Sequence, residues 1–255
     1  MLIRFVLMTL IYYNLLSGTE KQDRPDIQRV YLTHEEVKQH ADPIIQSCTS
    51  LDPFHPKTLL YFENFPLRKK IKFSLKRLVP PNHNFLKQSF FIIKEDGRIF
   101  LPPDDKGSPF FCISSRGFLP GERIYCRYEI LDGSFEHEIT FIPNPIQIKD
   151  EAGNVILEAE LCNLIPACYK ITLLGLKKSE KIKFRSVSGE EGVADSFKLS
   201  AIAPSFTYSP DVEGQKGGVA ELTLIRQNGQ RIRLKLPWGV QLLRYGRGNT
   251  VYSPN

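Results

Sequence analysis

The chain has 255 residues and a formal net charge of +6, with 42% hydrophobic and 24% charged residues. That balance supports a packed core and excludes global disorder, and the length allows one large domain or two to three small ones. Seventeen Phe and ten Tyr, with 18 Pro and 17 Gly scattered between them, point to half-buried pleated strands joined by many turns.

The first 18 residues carry one charge, Arg4, ahead of an apolar stretch from Phe5 to Leu16 that only Thr9 and Asn14 interrupt. Ser17 and Gly18 are small, and a polar run from Thr19 to Pro25 follows. This is the order of a secretory signal peptide, and the apolar core is short of the roughly 20 residues of a membrane span. The expected location is therefore outside the cytoplasm (periplasmic, cell surface or secreted), with the mature chain peripheral to a membrane at most.

Residues 19–56 read as a polar and helical lead, flexible through residue 30. Thr33 followed by Glu36 forms a capping-box pattern. It predicts a helix from His34 to about Ala41, resuming to Gln46 beyond Pro43. His34 and His40 are six apart, which places them on different helix faces and does not match the zinc-protease spacing.

From residue 57 the pattern turns to short alternating runs. A β-sandwich region is expected over 57–164, as one body or as two short units at 57–105 and 106–164. A further sandwich unit is expected over 165–245, with a tail at 246–255. The clearest hairpin runs from Leu222 to Leu236 around Asn228-Gly229. After the turn Ile232, Leu234 and Leu236 face one way, and Arg231, Arg233 and Lys235 the other.

Three segments share a pattern of Gly or Asn, an apolar residue, a turn, a cation and Ile: Asn64–Ile71, Gly117–Ile124 and Gly175–Ile182. The fullest copy is Gly117-Phe118-Leu119-Pro120-Gly121-Glu122. The ordering strand, Gly-Phe-x-Pro-Gly-Glu turn, strand resembles the opening of bacterial immunoglobulin-like modules of exported proteins. The resemblance covers about eight residues per copy and implies tandem β-sandwiches packed face to face. It implies nothing about a ligand.

Catalytic signatures are missing from the sequence: no G-x-S-x-G elbow, no P-loop and no G-x-G-x-x-G run. No enzyme activity, cofactor or metal is expected. Five cysteines lie beyond the leader. Cys162 and Cys168 flank a short loop and Cys112 and Cys126 flank a predicted turn, so each pair is a disulfide candidate in an oxidising compartment.

Basic clusters recur around the turns and following strands. Lys70, Lys72, Lys181, Lys183, Arg231, Arg233 and Lys235, with Trp238 as an aromatic neighbour, are the candidate binding residues. They suit an envelope or extracellular protein first and an anionic glycan or lipid surface second. Nucleic acid is not expected, since no nucleic-acid-binding signature accompanies the charge. Two other readings stand beside the binding protein: a hydrolase of envelope polymers with its site in Glu190–Gly218, and an architectural spacer.

Overall fold

The computed structural model describes residues 24–51, 55–78, 85–101, 106–149, 155–174, 182–188, 193–199 and 205–247. The signal-peptide segment, Lys181 and the tail beyond residue 247 lie outside the described residues.

Asp26–Leu32 forms β1, where residues up to 30 were expected to be flexible. Only Ile27 of this strand is buried, so its sequence is polar because it lies at the edge of a sheet and has little to hide. The helical lead follows as α1 (His34–Lys38) and α2 (Pro43–Leu51). The Thr33–Glu36 capping box is present, with each side chain bonded to the other's backbone amide. Pro43 opens α2 and does not interrupt a continuing helix. Its missing N–H costs nothing at the first helical position, and the Asp42 carboxylate accepts from the Ile44 amide at 2.8 Å.

The first sandwich contains β1, β2 (Lys57–Glu63), β3 (Lys70–Arg77), β4 (Phe85–Ile93), β5 (Ile99–Phe100), β6 (Phe111–Ser114), β7 (Ile124–Ile130) and β8 (Glu136–Phe141). A three-stranded sheet of order β1-β2-β6 faces a five-stranded sheet of order β5-β4-β3-β7-β8. Ile27, Leu60, Phe111 and Ile113 from one sheet share a core with Ile71, Phe73, Phe91, Ile124 and Tyr128 from the other.

The second sandwich contains β9 (Ile146–Lys149), β10 (Val155–Leu164), β11 (Ala167–Leu173), β12 (Ile182–Ser188), β13 (Val193–Leu199), β14 (Ser205–Tyr208), β15 (Gly217–Ile225) and β16 (Arg231–Trp238), closed by helix α3 (Gly239–Gly246). Its sheets run β14-β11-β10-β9 and β13-β12-β15-β16. Leu157, Ala159, Leu161, Tyr169 and Ile171 pack against Phe184, Leu222, Leu224, Leu234 and Leu236.

Strand for strand, β1-β2-β6 corresponds to β10-β11-β14, and β4-β3-β7-β8 to β13-β12-β15-β16. Both are immunoglobulin-like arrangements of two antiparallel sheets around one core. The boundary expected between 164 and 165 falls inside the β10–β11 hairpin, whose strands pair from Leu157↔Leu173 to Leu164↔Ala167. The segment Glu190–Gly218, named above for a hydrolase site, includes β13 and β14.

The recurring turn motif separates along the same lines. Asn64–Ile71 bridges β2 and β3, and Gly175–Ile182 bridges β11 and β12, the corresponding place in the second sandwich. Gly117–Ile124 instead joins β6 to β7, so its likeness to the other two does not reflect a shared position. The Asn228-Gly229 hairpin forms with Gly229 alone at positive φ (83°). The Arg226 amide donates to the Gln230 carbonyl across a three-residue loop, and the Asn228 side chain accepts from the Gln230 amide at 3.0 Å. Asp96-Gly97 closes the β4–β5 hairpin in the same way.

The Gly117–Ile124 turn forms the seam between the sandwiches. Gly121 sits at φ 76°, and a Cβ there would stand 3.0 Å from the Ala159 carbonyl oxygen and 3.1 Å from the Leu161 nitrogen. The Leu161 amide donates to the Gly121 carbonyl at 2.9 Å. Leu119, carried by the first sandwich, is buried in the core of the second beside Leu242 of α3.

Candidate functional site

The outer face of the β13-β12-β15-β16 sheet carries most of the predicted binding residues. Strand alternation puts Phe184, Leu222, Leu224, Ile232, Leu234 and Leu236 into the core, and the intervening residues must face outward. The register then aligns them in rows: Lys183, Ile225 and Arg231; Arg185, Thr223 and Arg233; Val187, Glu221 and Lys235. Lys183, Arg185, Arg231, Arg233 and Lys235 are all exposed. The acid among them is Glu221, 3.6 Å from Arg233. Among the described residues no ion pair forms on Lys183, Arg185 or Arg231.

The equivalent face of the first sandwich is built differently. Lys72 donates to Glu129 at 2.8 Å. Arg127 lies 3.0 Å from Glu129 and bonds Glu136 at 2.7 Å, and the Tyr125 hydroxyl donates to Glu138. The Lys72 hydrogen bond is the main cause that holds the Glu129 carboxyl below its ordinary range. Burial, followed by the Glu138 carboxylate, pushes the Tyr125 phenol up to about 12. Lys70 stands over the Phe90 ring, 4.5 Å from its centroid. This face neutralises its own cations.

The structure therefore brings together Lys183, Arg231, Arg233 and Lys235 on one surface, and leaves Lys70 and Lys72 on the other sandwich in local pairings. Trp238 does not join the surface. It is 2% exposed in the second core, where it is a packing residue. Gly218 leaves it room, since a Cβ there would lie 3.3 Å from the indole nitrogen. Arg185, a member of the same basic cluster as Lys183 in the sequence, belongs to the site as well. Its signal was the Lys183-x-Arg185 alternation beside inward Ile182 and Phe184. The acids that neutralise the first face were missed, although Glu136-x-Glu138 alternates in the same way.

The structure forms neither candidate disulfide, Cys112–Cys126 or Cys162–Cys168. Cys126 is buried in the core between the first sandwich's sheets. Cys112 lies on the opposite side of β6, packed with Val37, Ile45, Leu59 and Phe110 under the helical lead. Alternation along β6 therefore turns Cys112 away from Cys126 and excludes that pairing. Cys162 occupies the bulge between Leu161 and Asn163, and Cys168 faces Asn163 across the hairpin.

A second concavity lies at the seam, a cleft of about 430 Å³ lined by Arg29, Tyr31, Arg123, Phe141, Gln147 and Glu158 among others. Its guanidinium groups are already engaged. Arg29 donates to the Thr140 carbonyl at 2.9 Å, and Arg123 holds Glu160 through two bonds of 2.6 Å. That bidentate pair joins the first sandwich to the second. Residues from β1, β2, β8, β9 and β10, with Arg123 just ahead of β7, line the cleft, and no local pattern in any one of them announces it.

Among the described residues no group of His, Cys, Asp and Glu has the arrangement of a metal site, and no helix is long and apolar enough to cross a membrane. No family model matches the chain, and no curated protein matches it. Among solved structures, a two-domain fibronectin type III segment of chicken tenascin aligns at 10% identity over 84% of this chain and 99% of that one, with a TM-score of 0.26. The alpha chain of the chicken interferon gamma receptor aligns at 8% identity over 72% of this chain and 92% of that one, with a TM-score of 0.22. The class of protein is set by strand order and shared cores: a mainly β chain of tandem immunoglobulin-like sandwiches with a short helical lead.

Proposed function

We propose that this is an exported, non-enzymatic binding protein that presents the basic outer face of its second sandwich to an anionic partner. The N-terminal sequence supports export through its signal-peptide order. One observation carries the binding role. Among the described outward residues of β12, β15 and β16, five exposed cations share the surface with one acid, Glu221, which lies 3.6 Å from Arg233, whereas the corresponding surface of the first sandwich carries a chain of ion pairs through Lys72, Arg127, Glu129 and Glu136.

A solvated strand face needs charge to stay soluble, but it does not need one sign. Leaving like charges side by side costs stability, and a partner of opposite charge recovers it. The test is capture from extracellular fractions with the wild-type chain and with R231E/R233E, at low and at high salt. The expected result is a specific partner that the wild type holds at low salt and that both the variant and high salt release. Equal capture by the variant would sink the proposal.

A further inference from the structure

We infer that the ligand of this face is an extended sulfated polysaccharide, lying along the strands between two rows of cations. The inference rests on the preceding reading of the face as the contact surface. Lys183 and Arg185 on β12 form one row, and Arg231, Arg233 and Lys235 on β16 form the other. Between them β15 supplies a floor of Ile225, Thr223 and Glu221. Two strand spacings separate the rows by about 10 Å, and successive cations within a row are about 7 Å apart. The arrangement is a shallow trough with charged rims, repeated along one direction.

The chemistry of the trough discriminates among anionic partners. Protein interfaces concentrate energy in aromatic anchors and deplete charge at their centre. This face has no exposed aromatic residue in its three rows, and its one Trp is in the core. Single-stranded nucleic acid is held by stacking bases on aromatic platforms, which the rows also lack. Peripheral membrane binding draws on apolar residues that enter the headgroup layer beside the cations, whereas the cation rows rise above a floor of Ile225 and Thr223.

A polysaccharide chain with anionic groups on both edges asks for neither stacking nor insertion. It asks for regularly spaced cations on both sides, and three of the five here are arginines, whose planar fork matches an oxyanion through two parallel bonds. The floor residue Thr223 adds a hydroxyl between Arg185 and Arg233.

The experiment is titration of the full chain with four probes: heparin, hyaluronan, poly-L-glutamate and phosphatidylserine vesicles. It compares the wild type with R231E/R233E, K183E/R185E and the first-sandwich control K69E/K70E. Circular dichroism melts establish that each variant folds. Heparin is expected to bind most tightly, to weaken with salt, and to weaken at least about fivefold for each trough cation reversed, with K69E/K70E close to wild type.

Two results would overturn the inference in different ways. If polyglutamate or vesicles bind more tightly than heparin and R231E/R233E releases them, the polysaccharide is wrong and the contact face stands. If no probe binds, or if K69E/K70E weakens heparin as much as the trough variants do, the contact face falls with it.

Discussion

The two sandwiches share a strand order and differ in what their corresponding faces do with charge. On the first, Lys72, Arg127, Glu129 and Glu136 form a continuous network across β3, β7 and β8. On the second, the same three positions in the sheet carry cations on the two outer columns and one acid between them. Topology therefore does not decide which face is available to a partner. The identity of the outward residues at every second position decides it: β8 presents Glu136 and Glu138 where β16 presents Arg231, Arg233 and Lys235.

Their cores differ as well. The first is aromatic, with Phe62, Phe65, Phe73, Phe91, Phe111 and Tyr128 in edge and tilted contacts. The second is mainly aliphatic, with Trp238 filling the end that α3 closes. Trp238→Ala should give the largest effect, a loss of about 3–5 kcal/mol, because deleting a buried indole leaves a large cavity in a packed core. Urea unfolding followed by circular dichroism would measure it. In the wild type the indole is the chain's one Trp, so its fluorescence reports the second sandwich, whereas circular dichroism reports both. Coincident transitions would show that the seam couples the two.

The seam supplies the next effect. Gly121→Ala puts a Cβ against the Ala159 carbonyl and forces a residue at φ 76°. A loss of about 2 kcal/mol is expected from strain and close approach together. The two unfolding transitions should also separate, because the turn is what inserts Leu119 into the second core. A variant whose transitions stay coincident would show that the Arg123–Glu160 pair and the β9 connection suffice to couple them.

Glu122 gives a subtler effect at the same turn. It is fully buried, accepts from the Leu119 amide at 2.9 Å and lies 3.0 Å from the Arg77 guanidinium. Burial raises its carboxyl above the usual range, and Arg77 and the Leu119 amide offset only part of that rise. The native state therefore holds this proton more tightly than the unfolded chain does. Its contribution to stability is present below the unfolded value and is lost as pH rises through the native one. Glu122→Gln keeps an acceptor for Leu119 and removes the titration. The difference in urea midpoint between variant and wild type should grow in the variant's favour from about pH 4.5 upward. A difference that is flat with pH would refute the assignment.

Much of this was legible in the sequence where local chemistry speaks for itself. The Thr33–Glu36 box, the Gly229 turn and the alternation of β16 are each set within a few residues, and each appears where the pattern put it. Three things were not legible. β1 was hidden by its edge position, since a strand that buries only Ile27 has no apolar stripe to show. The role of Gly117–Ile124 as a seam depends on Ala159 and Leu161, which are distant in sequence. The split of the basic residues into a neutralised set and an open set depends on which acids sit opposite. Lys72 and Lys183 look alike along the chain, and only the register to Glu129 or to Ile225 tells them apart.

That last distinction yields the prediction with the smallest cost to stability. If availability of charge is what separates the two faces, removing the acids of the first should make it resemble the second. The triple variant E129Q/E136Q/E138Q releases Lys72 and Arg127 from their partners and leaves the fold's core untouched. Exposed pairs of this kind are worth about 0.2–1 kcal/mol each, so the thermal midpoint should shift little. The triple variant should bind a polyanion such as heparin more tightly than wild type. Combining it with R231E/R233E should recover part of the binding that R231E/R233E alone removes. If the first face stays inert after its acids are gone, then charge alone does not make the site. The trough geometry of the second face, with two rows of cations flanking Thr223 and Ile225, would then be the feature that the first sandwich lacks.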